Sequence, residues 1–138
     1  MIEAFIDTSF SVALVNERDL DHDKALALSN LHNSSSLIIT DCVLLEIGNS
    51  LARKNRTQAI AIINSFLTSK QVEVVHLTPE LFHRAFELYR SRIDKSWGLV
   101  DCVSFVVMRD RGIEIALTSD RHFLQAGFRA LMLEDESS

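Results

Sequence analysis

The 138-residue chain contains one proline and four glycines. That leaves little material for irregular loops, so most of the length must lie in regular elements joined by short turns. There are two cysteines, Cys42 and Cys102, both in apolar helical contexts and with no CxxC or Cys/His ligand spacing. They read as reduced core residues, which excludes a disulfide scaffold. No apolar run approaches the roughly 18 residues of a membrane span, and Met1 to Phe10 lacks the basic start and long apolar centre of a signal peptide. A cytoplasmic protein without membrane attachment is expected. Cations are in deficit: 14 Lys and Arg stand against 19 Asp and Glu, for a formal net charge of -5. This argues against a nonspecific nucleic-acid coat protein, which carries a positive face. A nuclease stays open, because a metal-binding active site concentrates carboxylates while substrate-binding cations cluster locally or come from a partner.

What is present is apolar and periodic. Hydrophobic residues make up 47% of the chain and charged residues 24%, enough for one core in one domain. The stretch Trp97 to Phe123, WGLVDCVSFVVMRDRGIEIALTSDRHF, organises the rest. Between Leu99 and Met108 nearly every position is apolar except Asp101 and Ser104, the pattern of a helix buried on most sides. Burying an unpaired carboxylate costs several kcal/mol, so Asp101 needs the helix N-terminus, hydrogen-bond donors or a cation. Gly112 ends this helix behind Arg109 and Arg111, and Ile113, Ile115 and Leu117 then alternate with Glu114, Ala116 and Thr118 as a short strand. Asp120 follows, positioned to cap the next helix, at the strand edge where open α/β sheets bind ligands.

Taken in order, Ile2 to Ile6 reads as a buried strand that delivers Asp7, accounted for on its own as the cap of a helix from Ser9 to Asn16. A second helix spans Leu20 to Asn33 with Ala25, Leu26, Leu28 and Leu31 as its stripe. His22 and His32 read as surface residues, since neither has a His or Cys at metal-ligand spacing. Leu37 to Ile39 is a brief strand, and Thr40 or Asp41 caps a helix running to Lys54. On it Val43, Leu44, Ile47 and Leu51 are apolar, while Glu46, Asn49 and Arg53 share one face. Thr57 to Ser69 is helical with Ile60, Ile63 and Phe66 or Leu67 buried, Val72 to Val75 is a strand, and Thr78 with Pro79 opens a helix to Ser91. Arg90, Arg92 and Lys95 then precede Trp97, either as the solvated end of that helix or as a phosphate-binding strip with an aromatic that stacks on a base. A helix from Arg121 to Ala126, Gly127 and a last strand from Phe128 to Leu133 precede a frayed acidic tail, Glu134 to Ser138. The order β-α-α-β-α-α-β-α-α-β-α-β predicts an α/β fold: one domain whose parallel strands are joined by right-handed helical crossovers.

Such a sheet gathers four carboxylates. Asp7 and Asp120 close strands, and Asp101 and Glu46 lie in the opening turns of helices at the same edge. They would repel one another strongly without a divalent cation among them. Hard oxygen ligands without His or Cys suit Mg²⁺ or Mn²⁺. The chemistry this permits is phosphoryl transfer, with one or two ions polarising a phosphate and activating a water.

The set FIDTS at Phe5 to Ser9, ITDCVLLEIGN at Ile39 to Asn49, WGLVDCVSFVVM at Trp97 to Met108 and LTSDRHF at Leu117 to Phe123 resembles the PIN domain family. Within it, the closest resemblance is to the VapC-like toxins of prokaryotic type II toxin–antitoxin pairs. The resemblance covers essentially the whole chain and implies a three-layer α/β/α domain with a central parallel sheet. It implies that Asp7, Glu46, Asp101 and Asp120 are the acidic quartet binding Mg²⁺ or Mn²⁺ in an endoribonuclease that leaves a 5′-phosphate and a 3′-hydroxyl. Thr8 and Thr118 would orient carboxylates or metal waters, and Asn49 would line the RNA groove. A cognate antitoxin is the expected protein partner, and a homodimer through the helices between Leu44 and Leu67 is expected by analogy. One departure lies before Asp101, where many relatives have Ser or Thr at the places held here by Gly98 and Val100. The lost hydroxyls would weaken support for the metal ligands. Two further readings stay open: a PIN nuclease acting in RNA processing or on DNA, and a binding module that no longer turns over substrate. A haloacid-dehalogenase-like phosphatase fits worse, because Ser9 stands where its second aspartate belongs.

Overall fold

The computed structural model describes residues 2–135. Five short strands, β1 (Glu3–Ile6), β2 (Ser36–Thr40), β3 (Val72–Val75), β4 (Ile115–Leu117) and β5 (Arg129–Ala130), form one sheet in the order β3-β2-β1-β4-β5. Every neighbouring pair is parallel. Between them run α1 (Thr8–Val15), α2 (His22–Leu31), α3 (Asp41–Ser50), α4 (Arg56–Thr68), α5 (Pro79–Ser91), α6 (Leu99–Arg111) and α7 (Arg121–Gln125). The chain walks outward from β1 through β2 to β3, then returns to the other side of β1. Right-handed crossovers taken in opposite directions put α1 to α4 on one face and α5 to α7 on the other. The helix contacts agree: α1 packs on α2 and α3, α3 on α4, and α5 on α6. The expected three-layer architecture is therefore the observed one.

Local chemistry explains several boundaries. The Thr40 hydroxyl caps α3 by accepting from the Val43 amide at 3.2 Å, and Thr78 caps α5 from Leu81 at 3.1 Å with Pro79 at the first helical position. These bonds satisfy amides that the first turn leaves without partners. Gly112 ends α6 at φ 65°, a left-handed conformation open to glycine at little cost. Every residue of α6 from Cys102 to Met108 is buried. Its Phe105 meets Trp97 and Phe123 edge-on, each at a centroid distance of 5.0 Å, the favourable arrangement for ring quadrupoles. Both cysteines are free thiols. No helix among the described residues is long and apolar enough to cross a membrane.

Four expectations need correction. Helix α3 stops at Ser50 and residues 51–54 form a turn, so Arg53 leaves the helical face it was expected to share with Glu46 and Asn49. On α4 the buried residues are Ala59, Ile62 and Phe66, while Ile60 and Leu67 are 63% and 57% exposed. The apolar set of that helix is wider than the face the sheet can cover. His32 is buried, not at the surface: its Nδ1 lies 3.0 Å from the Ser35 hydroxyl, and Gln71 donates to the His32 and Ser35 carbonyls. The final strand shortens to Arg129–Ala130, and the chain turns into a 3-10 helix, Leu131–Leu133, whose Leu131 and Met132 are buried. Glu134 is tied down by Arg129 at 2.7 Å and by Lys24, while residues 136–138 of the expected tail lie outside the described residues.

Because Phe105 joins α6 to Trp97 and Phe123 and is fully buried, Phe105→Ala should destabilise the fold by about 3–5 kcal/mol. The shift in urea-unfolding midpoint at unchanged slope measures it.

Candidate active site

The order in which strands are added reverses at β1, and this switch point opens a crevice between the C-terminal ends of β1 and β4, the place where sheets of this kind receive ligands. The two strands are in register, Ile6 opposite Leu117, and the Asp7 amide continues the ladder to the Leu117 carbonyl at 3.2 Å. Asp7 and Thr118 are thereby held side by side. A cleft of about 760 Å³ begins there, lined among others by Asp7, Thr8, Glu46, Asn49, Asp101 and Asp120. All four carboxylates singled out in the sequence thus face one space.

Asp7 occupies the N-cap position of α1, yet its side chain makes no cap bond. Its Oδ2 instead accepts from the Thr118 hydroxyl at 2.6 Å, and the Ser9 hydroxyl lies 3.4 Å away with its one hydrogen shared between this oxygen and Thr118. Helix capping alone does not account for it. Thr118 spends its one hydrogen on Asp7, so it accepts from the Asp120 amide at 3.0 Å, and the 3.1 Å contact with Ser9 is a bond that Ser9 donates. The Asp7 carboxyl is raised to about 6, chiefly by burial. The charges of Asp101 and Asp120 add to that rise, and the bonds from Thr118 and the Thr8 amide oppose it.

The other three carboxylates are half-buried. Glu46, one turn into α3, accepts from the Thr8 hydroxyl at 2.6 Å. Asp101 lies in the first turn of α6 and reaches back to the Gly98 amide at 3.1 Å. That bond supplies part of the support expected to be missing at Gly98 and Val100. Asp120 caps α7 by accepting from the His122 amide at 2.9 Å.

His122 is the residue that sequence reasoning passed over. Its Nδ1 lies 2.8 Å from Asp101 Oδ2 and 3.4 Å from Asp120 Oδ1, and these three side chains are spaced so that one ion could sit among them. A search for His or Cys partners at ligand spacing could not find it, because its partners are carboxylates, one of them 21 residues away. The signal available was a histidine in the first turn of a helix that follows a strand-end aspartate. Asp19 and Asp21 also line the cleft.

The expected substrate strip does not assemble as a unit. Asn49 lines the cleft, and Arg53 is exposed at an adjoining depression that Asn49 and Ser50 share. Arg92 and Lys95 pair with Asp94 at 3.0 and 3.8 Å and line a separate depression of about 310 Å³. Trp97 is 5% exposed, with its indole N–H bonded to Gln125 and the Arg92 guanidinium over its ring. Its faces are taken by the core and by Arg92, so the expectation that it stacks on a base is corrected.

Comparison with known proteins assigns the fold to a family. The PIN domain family model matches residues 4–129, and the chain belongs to the PIN domain family. The 23S rRNA-specific endonuclease VapC20 of Mycobacterium tuberculosis, found in two strains, is 33% identical over 124 residues, covering 90% of this chain and 94% of the relative. The crystal structure of VapC20, described as a sarcin-ricin loop cleaving toxin, superposes with a TM-score of 0.83 at 32% identity over 91% of this chain and 96% of that one. PIN nucleases use divalent metal ions, and a cleft rich in carboxylate oxygens has the donor chemistry for one.

Metal-free stability should report the Asp7 carboxyl. Its folded-state value of about 6 lies above the ordinary 3.8, so the folded state holds the proton more tightly than the unfolded state. The contribution of Asp7 is most favourable below about pH 4, falls as pH rises to 6, and is fully lost above that. Asp7→Asn should remove this decline and raise metal-free stability at pH 7.5 by about 1–3 kcal/mol. Urea unfolding of both proteins in chelator at pH 4, 5, 6 and 7.5 checks it. A variant less stable than the native chain at pH 7.5 contradicts it.

Proposed function

We propose that this protein is a divalent-metal-dependent endoribonuclease of the VapC type, the toxin of a toxin–antitoxin pair. What supports the reading is the convergence of Asp7, Glu46, Asp101 and Asp120 on one cleft, with hydroxyl donors already placed on Asp7 and Glu46. Carboxylate oxygens suit Mg²⁺ or Mn²⁺, and the quartet has enough of them for one ion or two. When bound, the cation supplies Lewis-acid polarisation of the phosphodiester and of the water that attacks it.

The remaining work falls to the chain. Thr118 and Thr8 each hold one oxygen of a carboxylate, so Asp7 and Glu46 are oriented before any ligand arrives. Asp101 and Asp120 sit at the N-terminal ends of α6 and α7, where the helix dipoles moderate their charge. Asn49 offers an amide to the phosphate or sugar of a strand in the cleft, and Arg53 with Lys54 carries the path onward with positive charge. Cleavage would leave a 5′-phosphate and a 3′-hydroxyl. Likeness to VapC20 makes a loop of large-subunit ribosomal RNA the first substrate to try. The density of carboxylates in the cleft also suits a basic segment of an antitoxin as the blocking partner. Leu45, Ile60 and Leu67, exposed at 69%, 63% and 57% on α3 and α4, support a homodimer through these helices.

Purified protein with Mn²⁺ should cut an RNA hairpin carrying the sarcin-ricin loop at a defined position, and a chelator should stop it. Asp101→Asn should lower the rate about 100- to 1000-fold, the scale seen when one preorganised electrostatic group is removed. Cleavage that survives both the chelator and the variant would point to a contaminating nuclease and sink the proposal.

A further inference from the structure

Two helix starts meet at the mouth of the cleft, and His122 touches both. Its backbone amide donates to Asp120 Oδ1 at 2.9 Å, while its ring Nδ1 lies 2.8 Å from Asp101 Oδ2. One residue of α7 is thus bonded to the carboxylate that caps its own helix and to the carboxylate in the first turn of α6. Nδ1 faces carboxylate oxygens at 2.8 and 3.4 Å. A lone pair aimed at them would be repelled, so Nδ1 carries a hydrogen in either protonation state of the ring, and it donates to Asp101. On the far side Nε2 lies 3.3 Å from the Ser96 hydroxyl, which completes a chain from Ser96 through His122 to Asp101.

The bonds on Asp101 are asymmetric. Both that it accepts among the described residues, from His122 and from the Gly98 amide at 3.1 Å, fall on Oδ2. Oδ1 is left for a cation. A carboxylate ligand held by donors on its other oxygen is oriented and keeps its position when the ion is absent. Gly98 and Val100, on the same turn, have no hydroxyl to offer. An imidazole from a different helix supplies the donor. Asp7 and Glu46 have their hydroxyl donors in Thr118 and Thr8, so His122 completes the set for Asp101.

We propose that His122 is a positioning residue that fixes Asp101 against Asp120, and so sets how tightly the cleft binds a divalent cation, with Ser96 holding the imidazole tautomer. This rests on the metal-site reading above. The ring acts through Asp101 and not as a ligand, since its Nδ1 hydrogen is committed to the carboxylate.

The test is calorimetric titration of Mn²⁺ into the native chain, His122→Ala and His122→Asn, with circular dichroism and thermal unfolding confirming that each is folded. Asparagine places its amide N–H near the position of Nδ1 and keeps the donor. His122→Ala should weaken Mn²⁺ binding about 10- to 100-fold, the usual cost of losing a partner behind a metal ligand, and His122→Asn should recover most of that loss. Electron spin-echo spectra of the Mn²⁺-loaded native protein should show no nitrogen coupling from a directly bound imidazole. Native-like binding by folded His122→Ala, equal losses in both variants, or a nitrogen coupling that His122→Ala abolishes would each overturn the positioning role. Failure of the native chain to bind Mn²⁺ would instead overturn the metal-site reading, and this inference with it.

Discussion

The buried hydrogen bond from Thr118 to Asp7, 2.6 Å long, is the constraint on which the site depends. It exists because β1 and β4, distant in sequence, are neighbours in the sheet with Ile6 opposite Leu117. The next residue on each strand, Asp7 and Thr118, must then emerge together at the C-terminal edge. A one-residue slip in this pairing would turn Phe5 and Ile6 to the wrong faces of the sheet and separate the pair. The register is guarded by the core beneath, where Phe5, Ile6 and Leu117 are all essentially inaccessible. Packing and chemistry are therefore specified by the same few residues.

The site opposes the stability of its own scaffold. Folding places Asp7 in a dry position beside two more carboxylates, and the upward push on its carboxyl records what that placement costs. Two helix N-termini, two threonine hydroxyls, three backbone amides and one imidazole offset part of the repulsion without removing any of the charge. That is the expected form of a preorganised cation site: donors fix the ligands, and the remaining negative potential is left for the ion. A scaffold rigid enough to hold the carboxylates together is a precondition, and α6, buried on nearly every side, provides it.

Much of this was legible in the sequence because the relevant patterns are short and local. Strand ends, a carboxylate in a helix otherwise too apolar to hold one, and Thr-Pro at a helix start each have a physical meaning within a few residues. The element order and the four carboxylates of the cleft came from such patterns, as did the expectation of a divalent cation among them, and the family resemblance added their assignment as one acidic quartet. Trp97 was misplaced because a bulky aromatic behind a basic cluster has the same local signature whether it stacks on a base or on Phe105. Only tertiary packing separates the two. Helix α4 was rotated for a similar reason: five large apolar residues in an eight-residue span leave the buried face undetermined until the sheet is present. His122 was missed because its significance depends on a contact between two helix starts, and the pairing of α6 with α7 is set by the sheet.

The acidic balance of the chain can now be joined to the RNA reading. Free of cations, a cleft lined by Asp7, Asp19, Asp21, Glu46, Asp101 and Asp120 would repel a phosphate backbone, and Arg53 and Lys54 stand outside it. Each divalent ion adds two positive charges in a partly enclosed space, where screening is weaker than in bulk water. On the proposed reading the ion therefore has an electrostatic role before any chemistry: it changes the local field from one that excludes the scissile phosphate to one that admits it. Substrate affinity, and not turnover alone, then depends on whatever sets metal affinity. That couples the donors behind the carboxylates, Thr8, Thr118 and His122, to RNA binding although none of them need touch the RNA. It also accounts for how a protein of net charge -5 can act on a polyanion: positive charge arrives with the metal, at the place where the bond is to be broken, and Arg53 and Lys54 add to it beside the cleft.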